Sequence, residues 1–541
     1  TLSCALLLVG VFKGHAAGLE PAWPGLLGHG AHLLAAGSWL GALPALFFVI
    51  RTSSMQHADV SAPEHIVQLL KRFSVLASTM VGVILLSGVL IGYLQISRWG
   101  ELFATTYGQY LLIKVLLFIV MLFIAGVIRQ HFFPQFKTGK STSVINLAIS
   151  KWVLLELSAG FILLVVANAI KNTTPAAHEE IKTWPFDFRF SLDATWETSS
   201  SVQTQVFLGF ILIALAIGLT SFFIRVKGDK KRALITGIIL SLTGVFTVLQ
   251  PLIITAYPDT YRNSTVTYDA ISISNGADIF SNCCASCHGA EGKGDGPLAD
   301  TLDVMLMDLN HMHTAGDTAG DMYWSLTQDV FKDISHSTIP RLDEDETWEL
   351  INYLNAQSVS YTGLSLYTYI EPHNPFLGAP DFYYSTNTTS GNLKEFREES
   401  AILLVLFSWP EGQARLDALK ENYLAITAAN TDIIAVEISK PKSALQATRP
   451  RYPFTVVTEQ TESIVNAYSF FRRSKFSNRD YSISSPLTHI EFIIDRFGYL
   501  RARWIPEANT RHWTDAPLLL NELEKLALEP AILPPPDEHV H

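Results

Sequence analysis

Residues 284–288 read Cys-Ala-Ser-Cys-His. Two thiols three positions apart can each add to a vinyl group of one haem, and the histidine that follows then lies beneath the iron as its proximal ligand. Cys284, Cys287 and His288 are therefore expected to hold a covalent c-type haem. Zinc would need two more ligands at suitable spacing, and a thiol–disulfide pair needs no histidine after it. Cys283 adjoins the motif, but its spacing to His288 leaves it outside. With Cys4 these make up the four cysteines of the 541-residue chain, and three in one short stretch mark a cofactor site, not a disulfide framework.

A second set of chemistry-bearing residues lies within apolar stretches. His29 and His32 are three apart, so on a helix they share one face. Lys114 enters another apolar stretch from the same side at similar depth, and His15 and His178 fall in loops of that side. Polar groups facing lipid are costly, so this cluster is expected to point inward at something. Imidazoles at such a place suit Cu(I), Cu(II) or a haem iron, with Lys114 as a ligand or as a neighbour supporting one. The competing reading is a hydrogen-bonded structural network, and His178 alone reads as solvated. Glu156 and Arg72 lie toward the opposite side, where a plain ion pair is expected. Met80 and Met121 are the main methionines of these stretches, so a methionine-lined copper path is not evident.

The elements that position these residues follow from the hydropathy pattern. Apolar residues make up 48% of the chain and charged residues 16%, which suggests a membrane part joined to a soluble part. Apolar stretches near spanning length run over about 1–12, 26–50, 73–97, 108–128, 150–170, 204–224 and 233–256, about seven helices with the first one short. An upstream piece is expected to be missing or processed away. Arg51, Lys71 and Arg72 mark one side, as do Arg129, Lys137, Lys140 and Lys151, and then Arg225 with Lys227, Lys230, Lys231 and Arg232. Basic loops stay cytoplasmic, so the chain after about 257 is expected outside, in the periplasm, where c-type haem is attached. The net charge of −11 excludes nucleic acid as an expected partner.

Beyond the membrane part, a helix over 273–280 precedes the haem motif, Gly289, Gly292 and Gly294 form the loop after it, and residues 345–355 have the pattern of a closing helix. This arrangement resembles a small cytochrome c. Such proteins usually supply a methionine just ahead of a proline as the sixth ligand. Here the dipeptide is Ile339-Pro340, and isoleucine cannot ligate iron. His336 in that loop is the first choice, with an open or water-bound iron as the equal alternative; Met305, Met307, His311, Met312 and His313 lie nearby.

The order Gly14-His15-Ala16-Ala17, His32-Leu33-Leu34-Ala35-Ala36, Trp39-Leu40-Gly41, Arg72-Phe73-Ser74, Thr106-Tyr107-Gly108, 111–114, Glu156 and Pro175 resembles the CopD family of copper-resistance membrane proteins. Trp184-Pro185-Phe186, Arg189-Phe190 and 271–276 resemble its longer form fused to a cytochrome c domain. The resemblance covers about 1–357 and implies copper uptake or handling across the inner membrane. The His32 and Lys114 pairing is also distantly similar to the HemJ-type protoporphyrinogen oxidases, which implies a b-type haem held by His and Lys near the outer surface.

Residues 358–397, rich in Tyr, Pro, Asn, Ser and Gly, read as a surface linker or wrapping segment. Strands are expected over 402–407, 433–438, 454–458, 489–495 and 499–504, with a helix over 414–429. With Tyr452-Pro453-Phe454 and 492–498 this resembles the thioredoxin-like fold of redoxins and Sco-type proteins. Those place reactive cysteines just after the first strand, where this chain has Ser408-Trp409-Pro410-Glu411-Gly412-Gln413 and no cysteine, so thiol chemistry is excluded. A redox-silent scaffold or docking role is expected, and the tail with His539 and His541 reads as solvated.

The expected architecture is multi-domain: a CopD-like α-helical membrane bundle (1–257), an all-α cytochrome c domain (258–357), a linker (358–397) and an α/β thioredoxin-like domain (398–541). The expected function is a multi-pass protein of the bacterial inner membrane that joins a c-type cytochrome to copper handling or transport, an electron carrier more than an enzyme. Its expected partners are membrane lipids, copper ion, a redox partner protein and a larger membrane complex. The alternatives are a respiratory or oxidase subunit with a b-type haem and no copper function, and a haem enzyme or sensor with an open iron.

Overall fold

The computed structural model describes residues 22–541 apart from 57–62, 97–99, 136–141, 197–199, 226–229, 303–304, 307, 311–317, 329–340, 363–365, 376, 387–388, 439–449, 473–486, 507–512, 534–535 and 537–541. The chain folds as two compact units, Thr1–Pro185 and Phe186–His541. Among the described residues six helices are long and apolar enough to cross a membrane. They match six of the seven expected stretches; the first, 1–12, lies outside the described residues.

The first unit holds α1 (Ala22–Gln56), α2 (Pro63–Gln95), α3 (Thr106–Val127) and α4 (Thr142–Lys171). Trp39, Leu43, Leu46 and Ile50 recur at helical spacing and form one buried stripe on α1. They share a core with Met121 and Ile124 of α3 and with Ile145, Ile149 and Val153 of α4. The other faces leave Phe48, Leu86, Phe123 and Phe161 exposed, which a lipid solvent permits and water does not. The ion pair expected between Arg72 and Glu156 is not formed. Arg72 is exposed, whereas Glu156 is buried and faces the Trp39 indole.

In the second unit, α5 (Ser200–Arg225) and α6 (Lys230–Leu249) form an antiparallel hairpin. Just outside its ends, β1 (Phe188–Phe190) pairs antiparallel with β2 (Ile253–Thr255). The cytochrome-like region follows as α7 (Ala270–Ile279), α8 (Ala319–Thr327) and α9 (Glu344–Thr362). Asp269 starts α7 with a capping box: its carboxylate accepts from the Ser272 amide at 2.9 Å while Ser272 Oγ accepts from the Asp269 amide at 3.2 Å. The α7 and α9 helices cross at Gly276, where any Cβ would collide with the Glu349 carbonyl oxygen. The rings of Phe280 and Tyr353 pack beside this crossing, 5.1 Å apart.

The rest of the unit is a six-stranded sheet. Its strands are β3 (Leu377–Gly378), β6 (Ala401–Phe407), β7 (Thr431–Glu437), β8 (Thr455–Val457), β9 (His489–Ile494) and β10 (Tyr499–Trp504), in the order β3-β10-β9-β6-β7-β8. Between β3 and β6 a separate hairpin joins β4 (Tyr383–Ser385) to β5 (Ser390–Asn392). The connections run strand, helices α10 (Gln413–Glu421) and α11 (Tyr423–Ala428), parallel strand, helix α12 (Glu462–Ser469), antiparallel hairpin, and helix α13 (Ala516–Ala527). This is the thioredoxin-like order. Along β6, Ile402, Leu404 and Leu406 enter one core while Leu403, Val405 and Phe407 enter another, the period of two that a strand covered on both faces requires.

Two features differ from expectation. The stretch 358–397, expected as a surface linker or wrapping segment, is packed in large part: α9 runs through 362, Leu366, Ile370, Leu377 and Phe382 are buried, and β3 adds an edge to the sheet. The cytochrome-like helices and the sheet also share one apolar core. The side chains of Ile273, Phe280, Tyr353 and Leu354 lie in the same cluster as Leu404, Tyr468 and Phe492. Asn466 Nδ2 donates to Ser274 Oγ at 3.0 Å, and the Tyr353 and Phe470 rings lie 5.4 Å apart.

Glu491 on β9 is fully buried and is held by Arg415 through Nε at 2.7 Å and Nη2 at 2.9 Å. Burial pushes its carboxyl up, but the Arg415 guanidinium and then His489 bring it down to about 2. A carboxyl depressed in the folded state stabilises above its unfolded pKa, and this contribution is lost as pH falls from there through about 2. Arg415→Ala leaves the carboxylate buried without its partner and should cost about 3–5 kcal/mol in denaturant unfolding at neutral pH. Lowering the pH toward 2 should shrink the gap between variant and parent. Gly276→Ala should lower stability by at least about 1–3 kcal/mol, read by thermal unfolding of the haem-loaded chain.

Candidate haem and intramembrane histidine sites

The haem motif sits at the end of α7, where the helix widens through Phe280–Cys284 and passes into the single turn Ala285–His288. The three cysteines are free and partly buried. Burial, and then Cys283 and Cys287, push the Cys284 thiol up to about 12, the reverse of what a nucleophilic redox thiol needs. Loop amides close back on the motif's own carbonyls: Gly294 N donates to His288 O at 2.9 Å, Gly296 N to Cys287 O at 3.1 Å and Leu298 N to Ser286 O at 2.9 Å. Gly289, Gly292 and Gly294 all have positive φ, and a Cβ at Gly289 would also strike Asp295. The loop is anchored from outside too, because Asn310 Nδ2 and Gln357 Nε2 both donate to Glu291 O at 2.6 Å.

Two thiols and an imidazole on one turn, in a loop whose backbone is already tied, fit a covalent haem. Cys284 and Cys287 would carry the thioethers and His288 the iron. For the sixth position, Met305 is almost fully exposed, while His336, Met307, His311, Met312 and His313 lie outside the described residues.

In the first unit the structure brings His29, His32 and Lys114 together. His32 Nδ1 lies 3.0 Å from Ser87 Oγ, and the Ser87 hydroxyl proton is engaged with Val83 O at 2.6 Å. The Ser87 oxygen therefore accepts from His32 Nδ1–H, which leaves the Nε2 lone pair of His32 for a ligand. Tyr107 donates its hydroxyl proton to Gln95 Oε1, which orients the amide so that Gln95 Nε2 donates to His29 Nε2 at 3.4 Å. The Lys114 ammonium is within electrostatic reach of both imidazoles.

His15 lies outside the described residues, and His178 is exposed. Among the described residues no three His, Cys, Asp or Glu side chains converge as a ready metal cage. Ser87, Gln95 and Tyr107 were not legible as site residues, because only tertiary packing brings them to the histidines. Beside them Glu179 caps α3: its carboxylate accepts from the Thr106 and Tyr107 amides at 3.0 and 3.2 Å. Burial pushes this carboxyl up, but hydrogen bonds from the Thr106 amide and side chain and from the Tyr107 amide together hold it below its ordinary value.

Comparison with known proteins agrees with this geometry in two places. Residues 67–170 match the family Copper resistance protein D, and residues 273–358 match the family Cytochrome c. The chain thus carries a CopD-like membrane segment followed by a cytochrome c domain, and such a domain implies covalent haem c. A curated relative, Copper transport protein CutJ of Bacillus subtilis (strain 168), is 35% identical over 174 residues. The match spans 32% of this chain and 30% of that protein. Among solved structures, a thiol:disulfide interchange protein DsbE from Chlorobium tepidum is 16% identical, with a TM-score of 0.21, covering 28% of this chain and 98% of that one. Peroxiredoxin Q of Xanthomonas campestris is 15% identical, with a TM-score of 0.22, covering 28% and 99%. The thioredoxin-like assignment stands on the strand order given above.

The motif assignment has a direct check. Cys283→Ser should leave haem attached through denaturing electrophoresis with an unchanged pyridine haemochrome. Cys284→Ser or Cys287→Ser should shift that spectrum toward the b type, because one thioether is lost and one vinyl group is restored. Identical spectra for all three variants would contradict the assignment.

Proposed function

We propose that this protein is a membrane-anchored c-type cytochrome that works in copper handling, with the haem on the periplasmic face of a bacterial inner membrane. The observation that carries this reading is the union in one chain of a CopD-like helix bundle with Cys284, Cys287 and His288 in a tied cytochrome c loop. The curated relative named as a copper transport protein supports the copper part. Copper takes precedence over a b-type haem or a respiratory complex because both the family matched by the membrane segment and the curated relative are named for copper. The division proposed is a membrane part over 1–257, a cytochrome part over 258–357, a wrapping segment over 358–397 that packs on both neighbours, and a thioredoxin-like part over 398–541.

The orientation rests on charge. Arg51, Arg129 and Arg225 lie at or near the C-terminal ends of the odd-numbered spans, and Lys71 with Arg72, Lys151, and Lys230 to Arg232 at or near the N-terminal ends of the even-numbered ones, an alternation along the chain that the positive-inside rule assigns to the cytoplasm. His29 and His32 then lie toward the outer surface. His32 Nε2 is available as an imidazole donor for copper, and His29 becomes one when Gln95 turns away. Lys114 beside them opposes a permanently resident cation, as a site that must release its ion requires. Bound haem would supply one-electron transfer, and that route would reach copper through a redox partner protein.

Copper measured in cells expressing the full chain tests this reading. The parent should raise cell copper above an empty-vector control, and His29→Ala with His32→Ala should abolish the rise. Cys287→Ser should weaken it if the haem contributes. Equal copper in parent and control would overturn the proposal.

A further inference from the structure

The β1–β2 ribbon is too short to be stable alone; one side carries Arg189 and Ile254, the other Phe188, Phe190, Ile253 and Thr255. Its register pairs Phe188 with Thr255, Arg189 with Ile254 and Phe190 with Ile253. Alternation sends Arg189 inward, where it is 7% exposed and bonds Asp321 Oδ2 on α8 of the cytochrome c domain at 3.1 Å. The same alternation sends Phe188 and Phe190 outward. With Phe186, Leu192 and Ile253 they are 38% to 54% exposed, and the Phe186–Phe188 and Phe188–Phe190 rings lie 5.7 and 5.9 Å apart. A contiguous aromatic face of this kind is unfavourable in water.

Its position in the chain says what covers it. The last span ends at Leu252, whose carbonyl accepts from the Ser191 amide at 3.0 Å, and β2 begins at the next residue. In the short helix that follows β1, Trp196 lies 6.2 Å from Phe207, about two turns into α5, the preceding span. The aromatic face therefore continues the exposed apolar surface of α5 and α6 at the boundary of the bilayer.

We propose that the β1–β2 ribbon is an interfacial lipid anchor. Its Phe186, Phe188 and Phe190 face enters the headgroup and upper acyl layer, while Arg189 on the reverse face grips Asp321. The ribbon thereby sets the height and tilt of the cytochrome c domain over the membrane. The occupant is phospholipid, consistent with apolar aromatic faces that bury at the acyl boundary. The inference rests on the spanning assignment of α5 and α6.

The test is photo-crosslinking of the full-length, haem-loaded protein in phosphatidylcholine–phosphatidylglycerol vesicles. Phe188→p-benzoylphenylalanine and Phe190→p-benzoylphenylalanine should form lipid adducts by mass spectrometry several-fold above the same replacement at Tyr383. Tyr383 is an exposed residue on the β4–β5 hairpin. Phe210, exposed within the α5 span, serves as the bilayer reference. Lipid adducts at 210 with only Tyr383-level adducts at 188 and 190 would overturn the anchor while sparing the spanning assignment. Adducts to protein at 188 and 190 would overturn it in favour of a protein docking surface. Failure at 210 as well would overturn both.

Discussion

The crossing of α7 and α9 at Gly276 governs the cytochrome c domain of this protein. Because the backbone there admits no side chain, the two helices approach closely enough for Phe280 and Tyr353 to pack beside the crossing. The end of α7 becomes the haem motif, and the end of α9 supplies Gln357, which pins the loop after that motif. From α9, Trp348 stacks on Tyr323 of α8 at 4.7 Å, and α8 carries the Asp321 that Arg189 reaches. A chain of contacts thus links Arg189 through α8 and α9 to the loop after the haem motif.

The thioredoxin-like part extends the same core. Its sheet offers no thiol, yet its α12 helix packs on α7, and Tyr468 and Phe471 sit in the cluster that contains Ile273 and Phe280. A fold best known for mobile redox chemistry acts here as a wall of the cytochrome c domain. Beside β6, Glu491 is bound by Arg415 and His489 in an ion-pair network.

The readable parts of the chain were those in which chemistry or periodicity is local. The haem motif is five consecutive residues, the spans are apolar runs, and 401–407 is a buried strand that reads directly from composition. Tertiary proximity was harder. Residues 358–397 have a turn-rich composition, but single apolar residues spaced along them, such as Leu366 and Phe382, enter a core built from segments far away in sequence. Arg72 and Glu156 were paired on charge alone, whereas the carboxyl is buried against Trp39. Likewise His29 and His32 were visible by spacing, but Gln95 and Tyr107, which set the protonation pattern of His29, reach it only through helix packing.

The central claim is that one polypeptide joins a copper-binding membrane bundle to a c-type haem. Metal analysis of the purified full-length protein after dialysis against buffered Cu(I) tests it most directly, with iron, copper and haem type measured on the same sample. The account predicts one c-type haem per chain together with bound copper that is lost when His29 and His32 are replaced. A c-type haem with no copper above a detergent blank, or copper that persists without the two histidines, would contradict it.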